Sequence, residues 1–250
     1  MSPAFTPDFG LLEAEMNAAT FTPEARLRLK AYLDRPGFKI PVGLGNEEAA
    51  CSIAAINIAI YGKLTDSIPN CMSQVIGAWI LPVQDEMPSS MRNSPKWKAA
   101  LVRAAGSGRE HERKRLDILM EWMWTIALPS VQRSADINGF GEEWRRMCVE
   151  RSAKAAFAAK YVIHTTYAGN LTSYASIAAS CAASAVDEAT NSTANADAGN
   201  AASDTAFAAI NALSLTVFAA NVSPIDAWRH LDPIGLLEKL IAVSETAPTH

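Results

Sequence analysis

Residues 173–189 read SYASIAASCAASAVDEA and residues 201–220 read AASDTAFAAINALSLTVFAA, and these two runs decide the fold. They belong to a longer stretch, Ser152 to Ala220, in which 24 of 69 positions are alanine and most of the rest are Ser, Thr, Asn or Val. Ala175, Ala179, Ala182, Val186 and Ala189 step by four and three residues in alternation, and so do Ala206, Ile210, Leu213, Val217 and Ala220. That spacing is the seam of a helix packed lengthwise on another. A third row, Cys148, Ser152, Ala155, Ala159 and Val162, takes the same steps. Side chains this small let helix axes approach closely, so the expectation is an antiparallel layer of three helices.

Outside this stretch, helix starts are marked by a cap residue followed by proline. Thr6-Pro7, Thr22-Pro23, Ser94-Pro95, Ser223-Pro224 and Asp232-Pro233 each put a side-chain oxygen at the N-cap and a fixed φ just inside. Asp8, Glu24 and Asp226 follow closely and complement the helix dipole. No run of alternating β-branched residues bounded by turns occurs. The chain therefore reads as all-α, a multi-helix bundle with a closely packed Ala-rich antiparallel layer. Helices are expected at about 7–19, 23–34, 47–61, 70–87, 95–105, 109–128, 141–168, 171–189, 202–220 and 224–243, the last broken near Asp232-Pro233. Pro82 is expected to kink its helix and Pro129 to end one, and the polar segment Thr190 to Asn200 reads as a loop. One all-α domain over 1–250 is expected, divisible into a mixed helical half, 1–138, and an Ala-rich half, 139–250.

Composition narrows the function classes. With 22 basic and 26 acidic residues in 250, nothing draws the chain to duplex nucleic acid or an anionic membrane. The longest strongly apolar runs, Ile53 to Tyr61 and Val75 to Val83, fall far short of the roughly 20 residues that span a bilayer. No export signal is evident after Met1-Ser2-Pro3-Ala4, so a cytoplasmic location is expected. Cys51, Cys71, Cys148 and Cys181 are scattered without a CxxC, which reads as four free thiols.

Catalytic and metal motifs are missing. His111, His164, His230 and His250 form no i,i+4 pair and no HExxH, and no GxSxG, GxGxxG or P-loop signature occurs. No metal, no cofactor and no enzymatic turnover are expected. Asp66, Asp85 and Glu86 stand near helix ends, where capping accounts for them.

One segment suits an anion. Gly106-Ser107-Gly108 leads into a helix start carrying Arg109 and Arg113, where free N–H groups, pliant glycines and guanidinium groups suit a phosphate or carboxylate. Against this, Glu110 with Lys114 is a favourable i,i+4 pair, and cations oppose the dipole at a helix N-terminus. Arg145, Arg146, Arg151 and Lys154 form a second basic group, in which Glu142–Arg146 and Glu150–Lys154 are i,i+4 pairs. Trp122-Met123-Trp124, with Trp79, Trp97, Phe140 and Trp144, reads as helix-junction core or as the wall of a pocket for a flat ligand. The site expected from these residues combines Ser107, Arg109, Arg113, Trp122 and Arg145 around an anion such as a nucleotide.

Residues 48–150 resemble a set of uncharacterised helical proteins of phages and bacteria. The likeness lies in Ala49-Ala50-Cys51-Ser52-Ile53-Ala54-Ala55-Ile56-Asn57, Leu64-Thr65-Asp66-Ser67-Ile68-Pro69, Gln84-Asp85-Glu86-Met87-Pro88, Met91-Arg92-Asn93-Ser94 and the Gly139-Phe140-Gly141-Glu142-Glu143-Trp144 turn. In build and composition the chain also resembles immunity proteins of polymorphic toxin loci. Both resemblances imply a role in host–phage or interbacterial conflict, and neither carries functional residues to transfer. Two functions are expected from different classes: a sponge-like protein that sequesters an anionic small molecule such as a nucleotide signal, or a protein-interaction module that covers a partner. Homo-oligomerisation through an Ala seam is compatible with both.

Overall fold

Side-chain oxygens and one sulfur open the first helices of the chain. The computed structural model describes residues 21–166, 170–191, 195–220 and 222–245. Thr22 Oγ1 accepts from the Ala25 N–H at 3.2 Å and starts α1 (Pro23–Leu33). Cys51 Sγ accepts from the Ala54 N–H at 3.3 Å and starts α2 (Ser52–Tyr61). Ser73 caps α3 (Gln74–Glu86) and, after the single turn α4 (Ser89–Arg92), Ser94 caps α5 (Pro95–Ala104). Next comes α6 (Glu112–Trp122), which runs into a π-helical turn over Met123–Ala127, a 3₁₀ turn over Pro129–Val131 and α7 (Gln132–Ile137). The Ala-rich part contains α8 (Gly141–Glu150), α9 (Ala153–Thr166), α10 (Asn170–Asn191) and α11 (Asn195–Ala220), followed by α12 (Pro224–Leu231) and α13 (Pro233–Glu245). Helices make up 75% of the structure, and no strand is present among the described residues.

Several expected boundaries shift, each for a local reason. The helix expected over 47–61 begins only at Ser52, because Asn46 Oδ1 accepts from the Glu48 and Ala49 N–H groups and holds a turn there. The helix expected over 141–168 is two helices. Arg151 takes φ +50°, a left-handed end rare outside glycine, and Ser152 Oγ caps the next helix by accepting from the Ala155 N–H at 3.2 Å. Helix replaces loop across most of Thr190 to Asn200, with α10 reaching Asn191 and α11 starting at Asn195. α3 runs through Pro82, and α4 and α7 are short helices the sequence pattern missed. The break at Asp232-Pro233 is present, with Asp232 at φ +45°. The expected helix over 7–19, with its Thr6-Pro7 start, lies outside the described residues.

α11 occupies the centre. It packs along α3 and α10 and also meets α6, the π turn, α7 and α12, while α9 covers the far side of α10. Three-residue links join α9 to α10 and α10 to α11, and each pair makes extensive contact, so the three helices run antiparallel. Ala175, Ala179, Ala182, Ala206 and Ala209 are all buried, as are Ala178, Ala183 and Ala202 on neighbouring faces of α10 and α11. Gly199 on α11 lies close against α3: a Cβ there would stand 2.7 Å from Gln74 Cγ. Replacing Ala182 by leucine is therefore expected to overpack the seam and cost about 1–3 kcal/mol, read from the urea midpoint. An unchanged midpoint would contradict the packing. The segment Asp197–Phe218 of α11 is long and apolar enough to cross a membrane, and 56% of that window is buried inside the bundle.

Burial of charge on α10 opposes folding. Glu188 on α10 has a buried Oε2 without a partner, and burial first, then the charges of Asp204 and Asp197, raises its pKa. A carboxyl group with a raised folded-state pKa favours folding while protonated and loses that contribution as the pH rises through the folded value. Glu188→Gln keeps the shape without the charge. It is expected to raise the melting temperature at pH 7, with a gain that shrinks toward zero near ~pH 4. An equal gain at both pH values, or a loss at pH 7, would contradict this account of Glu188.

Candidate functional site

Ser107 belongs to a buried polar hub. Its hydroxyl accepts from the Ser73 N–H at 2.9 Å, just ahead of α3. Glu112, the first residue of α6, turns its carboxylate onto the same helix start, where Oε2 accepts from the Val75 N–H at 2.8 Å and the Ser73 hydroxyl at 3.1 Å. The N-terminus of α3 thus holds the chain's own anion. Glu112 Oε1 in turn accepts from Arg115, which is fully buried and engages all five of its N–H donors. They reach the Glu112 carboxylate at 3.1 Å, the carbonyls of Ser107 (2.6 Å), Gly108 (2.9 Å) and Leu240 (3.3 Å), and the Ser244 hydroxyl. Burial pulls the Arg115 pKa down and Glu112 beside it pushes it back up.

This hub changes the expected anion site. The N–H groups of Gly106, Ser107 and Gly108 donate to the carbonyls of Arg103, Ala104 and Cys71, so the glycine-led segment offers no free donors. Arg109 donates from Nε to Met72 O (3.3 Å) and from Nη2 to Ile68 O (3.4 Å). Arg113 is exposed, paired with Asp117 at 3.0 Å and bonded to Ala189 O at 2.8 Å. Arg145 is exposed on α8 and paired with Asp136 at 3.0 Å. Through their bonds Ser107 and Arg109 join the α3 start, Arg113 joins α10, and Arg145 joins the end of α7. These contacts do not gather the five residues into one site.

The indoles are mostly core. Trp79 sits between Trp97 and Trp122, with ring centroids at 6.5 Å and 6.3 Å, and Trp144 is fully buried with its Nε1 donating to Leu128 O at 2.8 Å. Trp124 is buried as well. Trp122 differs: it is 8% exposed, donates from Nε1 to Leu231 O at 2.9 Å, and shows its remaining surface to a groove.

That groove, about 420 Å³ in volume, lies between α6 with its π turn and α13. Ile118, Trp122, Ile126 and Leu236 form an apolar floor, and Lys114 on α6 and Lys239 on α13 stand at its two walls. The acids that line it are already matched, Asp117 to Arg113 at 3.0 Å and Glu121 to Arg151 at 2.8 Å. Among the described residues Lys114 and Lys239 have no hydrogen-bonded or ion-pair partner. The unneutralised charge of the groove is therefore positive. Its walls are fixed from inside, since Arg115 ties α6 to Leu240 and Ser244 of α13, and Arg103 on α5 bridges Glu238 and Glu245 of the same helix. In the π turn the Leu128 N–H donates to Met123 O at 3.0 Å, five residues back. A single π turn is one residue wider than an α turn, a device common where helices line a site.

Of the groove's lining residues, Trp122 is among the candidates read from the sequence, whereas Lys114 and Lys239 are not. Lys114, Ile118 and Trp122 form a visible i, i+4, i+8 stripe, yet nothing in the sequence joins it to Leu236 and Lys239 more than a hundred residues later. The four cysteines are free. Burial pushes the Cys71 and Cys181 thiols up to about 11 and Cys148 up to about 12, and raises Cys51 as well, so none is poised as a thiolate at neutral pH. Comparison with protein-family models, with curated proteins and with solved structures finds no match to this chain.

Proposed function

We propose that this protein binds, without turnover, an anionic small molecule with an apolar or aromatic body, of which a nucleotide is one example. The observation that supports the reading is the pair of unpartnered lysines, Lys114 and Lys239, on opposite walls of an apolar-floored groove whose acids are already neutralised. A volume of about 420 Å³ is in the range of small-molecule sites, roughly 300–1,000 Å³. With the resemblances described above, this fits sequestration of a signal in phage or interbacterial conflict.

Thermal shift against a panel of nucleotides and aryl phosphates tests the reading. A ligand present at about 100 times its Kd adds ~2.7 kcal/mol of stability, a rise of about 5–10 °C for a chain this long. Lys114→Glu with Lys239→Glu is expected to abolish that rise and leave the unliganded melting temperature nearly unchanged, because both side chains are exposed. If no anion in the panel shifts the wild type, or the double variant responds as the wild type does, the reading fails.

A second reading, a protein-interaction module, draws on the outer face of α9. Phe157 and Tyr161 stand one turn apart there, 44% and 71% exposed, while the helix packs against α8 and α10. It predicts no response to any nucleotide, and loss of partner binding in Phe157→Glu with Tyr161→Glu.

A further inference from the structure

A second cavity, also of about 420 Å³, opens where the segment before α2, the segment before α3, α3 itself and α11 meet. Its charge character is the opposite of the groove's. Asp66 and Asp85 line it, and no Lys, Arg or His does. Capping accounts for neither carboxylate in full. Among the described residues Asp66 has no hydrogen-bonded partner. Asp85 Oδ1 accepts from the Gly43 N–H at 2.9 Å and from Gln84 Nε2 at 3.1 Å, which leaves Oδ2 without a donor.

The cavity has a built wall. Gln84 is buried and its Oε1 accepts from the Ser52 N–H at 2.8 Å, so it presents its amide to Asp85 in a fixed direction. The Arg92 guanidinium is engaged by main-chain oxygens of Ile40, Gln84, Asp85 and Met87 and does not line the cavity. Cys51, 1% exposed, also lines it, and its thiol pKa is raised first by burial and further by the charges of both Asp66 and Asp85. Two carboxylates separated by 19 positions in sequence thus act on one spot. The rest of the lining mixes the uncharged polar Gln74, Asn200 and Ser203 with apolar side chains, of which Leu44 and Phe207 are exposed.

We propose that this cavity binds an organic cation, an ammonium, amidinium or guanidinium group carried on an apolar or aromatic body. The cation meets Asp66 and the free Oδ2 of Asp85, and the body lies against Leu44 and Phe207. A metal ion suits the site less well, since no group of three or more His, Cys, Asp or Glu side chains is placed to hold one among the described residues. The site is separate in residues and in charge from the lysine groove, so either proposal stands or falls alone.

Calorimetric titration of the full chain with benzamidine tests it, with benzamide as the uncharged isostere and benzoate as the charge-reversed one. Benzamidine is expected to bind saturably and at least about tenfold more tightly than benzamide, and benzoate not to bind at this cavity. Asp66→Asn with Asp85→Asn should weaken benzamidine about tenfold or more, whereas Lys96→Ala, at an exposed position that lines neither cavity, should leave it unchanged. Asp66→Asn alone, at an exposed position without bonds, keeps the test intact if the double variant folds poorly. No saturable benzamidine binding, equal binding of benzamide, or wild-type affinity in the Asp66→Asn and double variants overturns the proposal.

Discussion

Arg115→Ala is expected to lower stability by about 3–5 kcal/mol. Arg115 is fully buried and its five donors hold Ser107, Gly108, Glu112, Leu240 and Ser244 together. Removing it leaves the Glu112 carboxylate buried opposite no cation and strips three carbonyls of a donor, which is the expensive way to break a buried ion pair. Lysine cannot replace it, because one ammonium group lacks the fork needed to reach acceptors on α6, α13 and the segment between α5 and α6. Glu112→Gln in the Arg115→Ala background is expected to recover part of the loss by removing the orphaned charge. Urea unfolding of the three proteins gives these differences directly. A loss below about 1 kcal/mol for Arg115→Ala would mean that the hub is wet and loosely held.

Trp97→Ala should cost about 3–5 kcal/mol through a different mechanism. The indole is fully buried and tilted against Trp79 at a centroid distance of 6.5 Å, and its Nε1 donates to the buried Ser52 hydroxyl at 3.3 Å. Alanine leaves a cavity where α2, α3 and α5 converge. Trp97→Phe separates the two contributions, since it keeps most of the volume and removes only the donor to Ser52. It is expected to cost about 1–2 kcal/mol. Equal losses for phenylalanine and alanine would show that the hydrogen bond, not the packing, dominates at this position.

The fold was legible because its strongest signal is local and periodic. Four–three steps of small residues specify a helix with a narrow buried seam, and α10 and α11 bury Ala175, Ala179, Ala182, Ala189 and Ala206, which the spacing selects. The boundaries that shifted depend on single residues whose preferences compete. Asn46 holds a turn against a helical pattern, and Arg151 takes a backbone conformation that only its surroundings can stabilise. Burial of Arg115 was not legible at all. In sequence it belongs to a charged run from Arg109 to Arg115, and helical spacing alone does not tell which of those side chains faces α13. The contacts made by the expected site residues were not legible for the same reason. Ser107 and Arg109 point at the chain's own backbone, whereas Lys114 and Lys239 face each other's helix across a groove that only the tertiary fold creates. Asp66 and Asp85 looked like separate helix-end acids until the fold placed them around one cavity.

The positive groove between α6 and α13 is the site proposed to capture an organic anion. Isothermal titration of the full chain with adenosine monophosphate, at low and at high salt, tests it most directly. The account predicts one site per chain, affinity that falls as salt rises, and no detectable heat with the Lys114→Glu, Lys239→Glu protein. Binding that persists in that variant, or that ignores salt, would contradict it.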